Sequence, residues 1–468
     1  LQAGDPRPFQ FVAYGDSAIG SASSEVLENF RRVQERINQI DPDFAVLLGD
    51  NIYDRGDHDE ADGRFNADVN PEAAEWIAGH IDYFGIGNHD GPILGVGDQV
   101  SRDLFSVPVP IAGVNAYASL PEGEIPEFTF SWDYGNMHFV TLDTNAVELP
   151  GGAAGAARIN KLLDFVVTDL QASAAQWKIV YTHHPILGTE KPYDKPNGSY
   201  FQQMLPRLVE AGVDLLLVGD SHTYSWTFPL AGFEDRNQNG VVSADEVDVV
   251  REVDRVYEKG VGVVQVVAGV GGRSLRKDPY GDHYIAAAYS LDDRTGPIEY
   301  GFAQLDVTPD RLTVTYISAA TGQIVGDTNG NGLADGDEPF FARFQLVDSA
   351  VSRGDLDNSG GLNAADIDLL CAALLNRDPD PRYDMNRDGQ NDESDYETMI
   401  RSVVGVPYGD ANLDGVFNSK DLIQILASGK YENPSASPAG WAEGDWNCDG
   451  AFTTADLVTA LQQGAYRG

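Results

Sequence analysis

Five times along this chain an apolar run stops at a short polar loop, and each loop carries side chains that bind cations. Phe9 to Tyr14 ends at Tyr14-Gly15-Asp16, and Phe44 to Leu48 ends at Leu47-Leu48-Gly49-Asp50-Asn51-Ile52-Tyr53-Asp54. Tyr83 to Ile86 ends at Gly87-Asn88-His89-Asp90, Trp177 to Tyr181 at Thr182-His183-His184-Pro185, and Val213 to Val218 at Gly219-Asp220-Ser221-His222. Each apolar run reads as a buried strand bounded by a turn. The polar sets therefore fall at strand carboxyl ends, where open α/β sheets bind ligands. One Gly-Asp turn followed by a loop Tyr is commonplace, but five such junctions in one chain imply a site for two metal ions. Asp50 can bridge two ions with its two oxygens. Tyr53, three residues on, can bring a phenol oxygen to the same centre, and a phenolate is a hard anionic donor suited to trivalent iron.

The order of these junctions resembles the calcineurin-like metallophosphoesterases. The Tyr in Gly-Asp-x-x-Tyr resembles their purple acid phosphatase branch, nearest in length and layout to the small tartrate-resistant type. The resemblance covers most of residues 8 to 347, including Phe139-Val140-Thr141-Leu142-Asp143-Thr144 and Ala268-Gly269-Val270-Gly271-Gly272. It implies an Fe(3+) held by Asp16, Asp50, Tyr53 and His222, and a divalent ion held by Asp50, Asn88 and His183. One position departs from the family: Asp220 stands where the last motif, Gly-His-x-His, has its first His. A carboxylate can hold iron, zinc, manganese or magnesium, so the change either alters metal preference or weakens the site. The small members also carry a second catalytic His after the H-x-P motif, and Leu187 to Ser199 contains none.

The reaction the resemblance implies is hydrolysis of a phosphate monoester by a metal-bound hydroxide. His89 follows the ligand Asn88 and is the candidate general acid. His184 adjoins His183 and either assists or packs. A phosphodiesterase is an alternative within the class. The rival from another class is a binding or anchoring protein, inactive or weakly active, with a metal site degraded through Asp220.

The 468 residues exceed one ordinary core, so two domains are expected. The formal charge of −42 argues against a basic patch for nucleic acid or anionic membranes. No apolar run reaches the length of a membrane span. The opening Leu1-Gln2-Ala3-Gly4 looks like a processed start, and the expected location is secreted, extracellular or periplasmic. Cys371 and Cys448 either form a disulfide or are two small free hydrophobes.

Alternating strand and helix signals predict an α/β fold over residues 1–348, a layered metallophosphoesterase β-sandwich flanked by helices. Helical spacing marks Ser24 to Ile40, Pro71 to His80, Arg158 to Ala172 and Phe201 to Glu210. A hairpin is expected from Phe128 to Tyr134 and His138 to Leu142, around Gly135-Asn136. Val263 to Val267, Phe302 to Ile317 and Phe340 to Val347 read as later strands.

Two insertions match twelve-residue EF-hand calcium loops, in which oxygen donors alternate around one cation and Gly at position 6 permits the turn. One offers Asp235, Asn237, Asn239, Val241 (by its carbonyl), Ser243 and Glu246; the other offers Asp327, Asn329, Asn331, Leu333, Asp335 and Glu338. Residues 349–468 repeat a related loop four times, each followed by an apolar helical pattern, and this predicts a small all-α calcium-loop domain. The loops offer Asp355, Asp357, Ser359, Gly361, Asn363 and Asp366, then Asp384, Asn386, Asp388, Gln390, Asp392 and Asp395. The next two offer Asp410, Asn412, Asp414, Val416, Asn418 and Asp421, then Asp445, Asn447, Asp449, Ala451, Thr453 and Asp456. An Asp at position 12, with the loops in pairs, resembles type I dockerin repeats. That resemblance implies Ca(2+) binding and a cohesin-like or cell-surface partner.

Overall fold

The computed structural model describes residues 7–17, 24–53, 67–68, 70–90, 115–116, 129–144, 152–187, 198–234, 236–238, 246–251, 255–277, 283–291, 295–330, 340–348, 354–357, 359, 361–386, 390–433, 435–436, 438–462 and 466–467. The chain divides into two compact units, Leu1–Val347 and Asp348–Gly468.

In the first unit the strands are Phe9–Tyr14 (β1), Phe44–Leu48 (β2), Asp82–Gly85 (β3), Asn115–Ala116 (β4), Phe130–Tyr134 (β5), Met137–Thr141 (β6), Trp177–Tyr181 (β7), Leu215–Val218 (β8) and Tyr224–Thr227 (β9). They continue as Leu230–Phe233 (β10), Val247–Val249 (β11), Val256–Glu258 (β12), Val264–Ala268 (β13), Ile285–Tyr289 (β14), Gly301–Thr308 (β15), Arg311–Ser318 (β16) and Arg343–Val347 (β17). The helices are Ser24–Ile40 (α1), Pro71–Gly79 (α2), Gly152–Ala172 (α3) and Gly198–Glu210 (α4).

Two mixed sheets form. One runs β12-β17-β16-β15-β1-β2-β3 and the other β14-β9-β13-β8-β7-β6-β5-β4. Within the first, β1, β2 and β3 are parallel neighbours. Within the second, β6, β7, β8 and β13 are parallel neighbours. Strands buried along their whole length, such as β2 and β8, are the continuous apolar runs that parallel pairing inside a layered fold requires. One core cluster joins residues of both sheets, and its aromatic centre is Phe44, which meets Phe11, Trp132 and Phe139 at centroid distances of 4.9, 5.1 and 5.7 Å. A second cluster packs α3 and α4, through Leu163, Val166, Leu205 and Leu208, onto Val140, Val180 and Leu216. The fold is thus a pair of mixed sheets with flanking helices, and its parallel strands end in the five polar loops.

Some boundaries differ from the sequence signals. Helix α3 begins at Gly152, six residues before Arg158, because its Gly/Ala-rich start has no apolar period to read. The stretch Phe302 to Ile317 is two antiparallel strands, β15 and β16, turned at residues 309–310. Strands β9, β10, β11, β12 and β14 had no clear signal, since each has three to five residues and little alternation. Of the insertion loops, Asp235, Asn239, Val241, Ser243, Asn331, Leu333, Asp335 and Glu338 lie outside the described residues, as does Asp388 of the second unit.

The second unit is helical: Ala364–Asn376 (α5), Glu393–Thr398 (α6), continuing as a π-helical turn Met399–Val404, then Ser419–Ala427 (α7) and Thr454–Gln462 (α8). Positions 9 and 12 of the repeated loops have a local role here. Asn363, Asp392 and Asn418 are N-caps, and Asp366, Asp395 and Asp421 close the capping boxes at N3. Asp456 repeats the pattern by accepting from Thr453 N–H at 2.8 Å. The other oxygen of each closing Asp accepts a backbone N–H from loop position 3, at Asp357, Asn386, Asn412 and Asn447. Cys371 and Cys448 form a disulfide that joins α5 to the fourth loop across 77 residues of sequence. Trp441 and Trp446 lie fully buried in the core beside it.

His138 of β6 bridges two elements. Its Nδ1 is 2.6 Å from Asp133 of β5 and its Nε2 is 2.9 Å from Asp169 of α3. Burial opposes the imidazolium, but hydrogen bonds and charges from both carboxylates raise its pKa to about 9. Because the folded value lies above the ordinary one, this contribution is complete below about pH 6.5 and is lost as pH rises through about 9. Chemical denaturation at pH 7 and pH 10 should show a loss on the order of 2 kcal/mol that His138→Gln lacks. Equal pH dependence in both proteins would refute the assignment.

Candidate metal centre

The carboxyl ends of β1, β2 and β3 meet those of β7, β8 and β13, and the loops there adopt uncommon backbone. Asp16, Asp50, Asp220 and His222 all have positive φ, between 49° and 66°. Asp and His tolerate this region better than most residues, yet four cases in one place mark a constrained, function-bearing site. Gly87 permits the tightest approach, since a Cβ there would lie 2.1 Å from Asp50 Oδ1.

Two groups of ligand-type atoms converge on Asp50, which is buried. On one side the Tyr53 hydroxyl donates to Asp50 Oδ2 at 2.6 Å. It also lies 3.1 Å from Asp16 Oδ1 and 3.3 Å from His222 Nε2. On the other side His183 Nε2 is 3.3 Å from Asp50 Oδ1, 3.1 Å from Asn88 Oδ1 and 3.7 Å from Asp220 Oδ1. The two oxygens of Asp50 thus face different groups. Both histidines are oriented from behind: His183 Nδ1 donates to Leu48 O and His222 Nδ1 to Ser274 O, each at 2.7 Å. With a cation bound, that tautomer would turn each Nε2 toward it as an acceptor, the arrangement by which proteins aim metal-binding imidazoles; without one, the surrounding carboxylates favour a proton there.

The electrostatics of the cluster favour cations. Burial works against ionisation of Asp50, but the adjoining His183 charge holds its carboxyl well below the usual range. His183 in turn is held above its ordinary value despite burial, by Asp50, Asp16 and Asp220. Burial and the same two carboxylates, Asp50 and Asp16, push the Tyr53 phenol far upward. A multivalent cation would invert that balance and favour phenolate. The donor set, mostly oxygen with two imidazoles, fits a pair of hard or borderline ions.

His89 and His184 sit differently. His89 is partly exposed; its N–H donates to Asp50 Oδ1 at 2.9 Å and its ring lies 4.2 Å from that of Tyr53. His184 is buried, its Nδ1 is 2.8 Å from Thr144 Oγ1, and burial lowers its pKa to about 4, so it is neutral at neutral pH.

A further residue organises the site, although sequence reasoning gave it no role. Asp90 Oδ1 accepts N–H bonds from Asn51 and Ile52, at 2.8 Å each. Its Oδ2 accepts from Asn51 Nδ2 at 3.0 Å and Gly87 N–H at 2.9 Å. It therefore ties the Asp50 loop to the Asn88 loop. An acid directly after Asn-His at the end of an apolar run was the available signal. Asp90→Ala would strand three backbone donors, at a cost on the order of 3 kcal/mol. Thermal denaturation should show this loss with recovery in part by Asp90→Asn, and an unchanged melting temperature in Asp90→Ala would contradict it.

With this geometry in place, likeness to known proteins is informative. Residues 10–224 match the family described as calcineurin-like phosphoesterase. The chain is 23% identical over 331 residues to tartrate-resistant acid phosphatase type 5 of Mus musculus, covering 67% of this chain and 88% of that protein. It is 27% identical over 216 residues to purple acid phosphatase 17 of Arabidopsis thaliana, covering 45% of this chain and 62% of that protein. In structure it is similar to purple acid phosphatase PPD1 from yellow lupin (Lupinus luteus) seeds, with a TM-score of 0.50 and 17% identity. That match covers 74% of this chain and 55% of the lupin chain, and it speaks to the fold. Over residues 10–224 the first unit is therefore similar to the calcineurin-like phosphoesterases, and the chain is distantly similar to purple acid phosphatases.

Proposed function

We propose that this protein is a dinuclear-metal phosphatase acting on phosphate monoesters. The observation that carries the reading is Asp50, whose Oδ2 accepts the Tyr53 hydroxyl, itself beside Asp16 and His222, while its Oδ1 faces His183. In this reading Asp16, Asp50, Tyr53 and His222 hold a ferric ion, and Asp50, Asn88, His183 and Asp220 hold a divalent ion. When bound, such a pair neutralises phosphoryl charge and activates water at neutral pH. The remaining work falls to the chain. His89, partly exposed beside Asp50, presents its imidazole where the leaving oxygen departs and supplies it a proton. His184, neutral and held by Thr144, lends a hydrogen bond rather than a proton.

The second unit belongs to the same proposal as a calcium-dependent tail that anchors the enzyme to a cohesin-like or cell-surface partner. Asp355, Asp357 and Asp366 offer carboxylate oxygens within 4.8 Å of one another. Asp410 and Asp445 are buried at the heads of their loops, each accepting two backbone N–H bonds. Burial and neighbouring carboxylates raise Asp445 to about 6, a tension that a cation would relieve. In the first insertion, buried Glu246 accepts from Asn237 N–H at 3.1 Å, and in the second, Asp327 accepts from Gly330 N–H at 2.6 Å, near Asn329. The disulfide favours an oxidising compartment, hence secretion or a periplasmic location. Among the described residues no helix is long and apolar enough to cross a membrane.

Metal analysis with steady-state kinetics tests the centre. The purified chain should hold two transition-metal ions and absorb broadly in the visible, and Tyr53→Phe should abolish that band. Asp50→Asn should lower kcat by about 10³-fold or more. His89→Ala should cost about 10²- to 10⁴-fold, more for alkyl than for aryl phosphates. Stoichiometric iron without colour would sink the Tyr53 assignment, and a chain that takes up no metal and turns over no ester would favour the binding-protein reading. For the tail, chelation should abolish the near-ultraviolet signal of Trp441 and Trp446 while the first unit keeps its secondary structure, and added calcium should restore it. A signal indifferent to chelation would count against calcium.

A further inference from the structure

The loop after Ala268-Gly269-Val270-Gly271-Gly272 runs Arg273-Ser274-Leu275-Arg276-Lys277, three cations in five residues of a chain with 73 acidic and 31 basic side chains. It is pinned to the centre by its own backbone. Arg273 N–H donates to Asp16 O at 2.9 Å and Arg276 N–H to His222 O at 3.2 Å, while Ser274 O accepts from His222 Nδ1. Gly271 allows this approach, since a Cβ there would lie 2.5 Å from Gly15 O. The guanidinium of half-buried Arg273 lies over the Tyr53 ring, 4.5 Å from its centroid, and that same ring lies 4.2 Å from the ring of His89. A fixed cation is thus laid against the phenol whose oxygen touches both Asp16 and Asp50.

Charge gives this placement a purpose. Asp220 leaves the centre one unit less positive than a histidine would, and a phosphate monoester dianion is held largely by positive charge. Arginine presents a planar fork of donors matched to phosphoryl oxygens, and stacking on an aromatic face fixes that fork in direction. We propose that Arg273 is a substrate-binding residue of this site: it grips the non-bridging oxygens of a phosphate monoester from the Tyr53 side and supplies the positive charge that Asp220 removes. The assignment rests on the dinuclear reading above. It makes preference for dianionic monoesters over monoanionic diesters depend on Arg273 rather than on the metal pair alone.

The test uses the full chain loaded with its metals, with Arg273→Gln, Arg273→Lys, Asp220→His and the double variant Arg273→Gln/Asp220→His. Inorganic phosphate is the probe, titrated by calorimetry. Arg273→Gln should weaken phosphate about 10- to 100-fold, as expected for a charge-assisted contact, with metal content unchanged. KM for an aryl monoester should rise more than kcat falls, and kcat/KM for the matching diester, which carries one negative charge less, should fall by a smaller factor. Arg273→Lys should recover part of the phosphate affinity. The visible band should move to longer wavelength in Arg273→Gln, because a cation over the ring stabilises the phenolate electrons that the transition removes. In the Asp220→His background the same Gln substitution should cost less, since the charge it compensates is restored. Full metal loading with unchanged phosphate affinity and an unmoved band overturns the Arg273 assignment alone. A wild-type chain that takes up no metal overturns the dinuclear reading and the Arg273 assignment with it.

Discussion

A buried carboxylate is tolerated only when every oxygen has a partner, and the first unit is arranged around that requirement at Asp50. Its two oxygens receive the Tyr53 hydroxyl, the His89 N–H and the His183 ring. Satisfying it brings the loops after β2 and β3 of one sheet together with the loop after β7 of the other. That is achievable because the parallel strands of each sheet end on the same side. The aromatic stack about Phe44 holds the two sheets at the separation those loops need. The unusual backbone at Asp16, Asp50, Asp220 and His222 is the local consequence, strain retained because burial and hydrogen bonding over-determine it.

Beyond the residues that face the centre stands a ring that only orients. Leu48 O and Ser274 O fix the tautomers of His183 and His222, and Asp90 locks the Asp50 loop to the Asn88 loop. These contacts are mostly to backbone, so they depend on how strands are paired more than on side-chain identity. Arg273 belongs to the same outer ring through its N–H on Asp16 O, yet its guanidinium reaches inward over Tyr53. In the second unit one chemical motif does two jobs in the same way. The Asp at loop position 12 caps a helix with one oxygen and holds position 3 with the other. That geometry pre-arranges the loop and explains why the same residue type recurs at Asp366, Asp395, Asp421 and Asp456.

Much of this was legible in the chain because it is local. Continuous apolar runs identified β1, β2, β7 and β8, and a Gly-Asp or His-His step after each run located the loops that converge. The loop repeats were equally visible, since their pattern spans only a few residues, whereas the capping role of positions 9 and 12 emerged from the structure. The start of α3, hidden in Gly/Ala-rich sequence, and the short strands β9 to β12 left no periodic trace, because their stability comes from neighbours in the sheet.

By itself, then, the sequence determined which residues stand at strand ends, the type of donor each offers, the helical repeats of the second unit and the mixed α/β character of the first. Tertiary structure alone decided the rest. It turned the two oxygens of Asp50 to different groups, paired Cys371 with Cys448 where the sequence left both states open, and assigned Asp90 a role. It also brought Arg273 onto Tyr53 across 220 positions of sequence. The physical reason is common to all four: each involves a contact between residues distant in the chain, governed by sheet order and loop direction in the first unit and by helix packing in the second, and none is encoded in local periodicity.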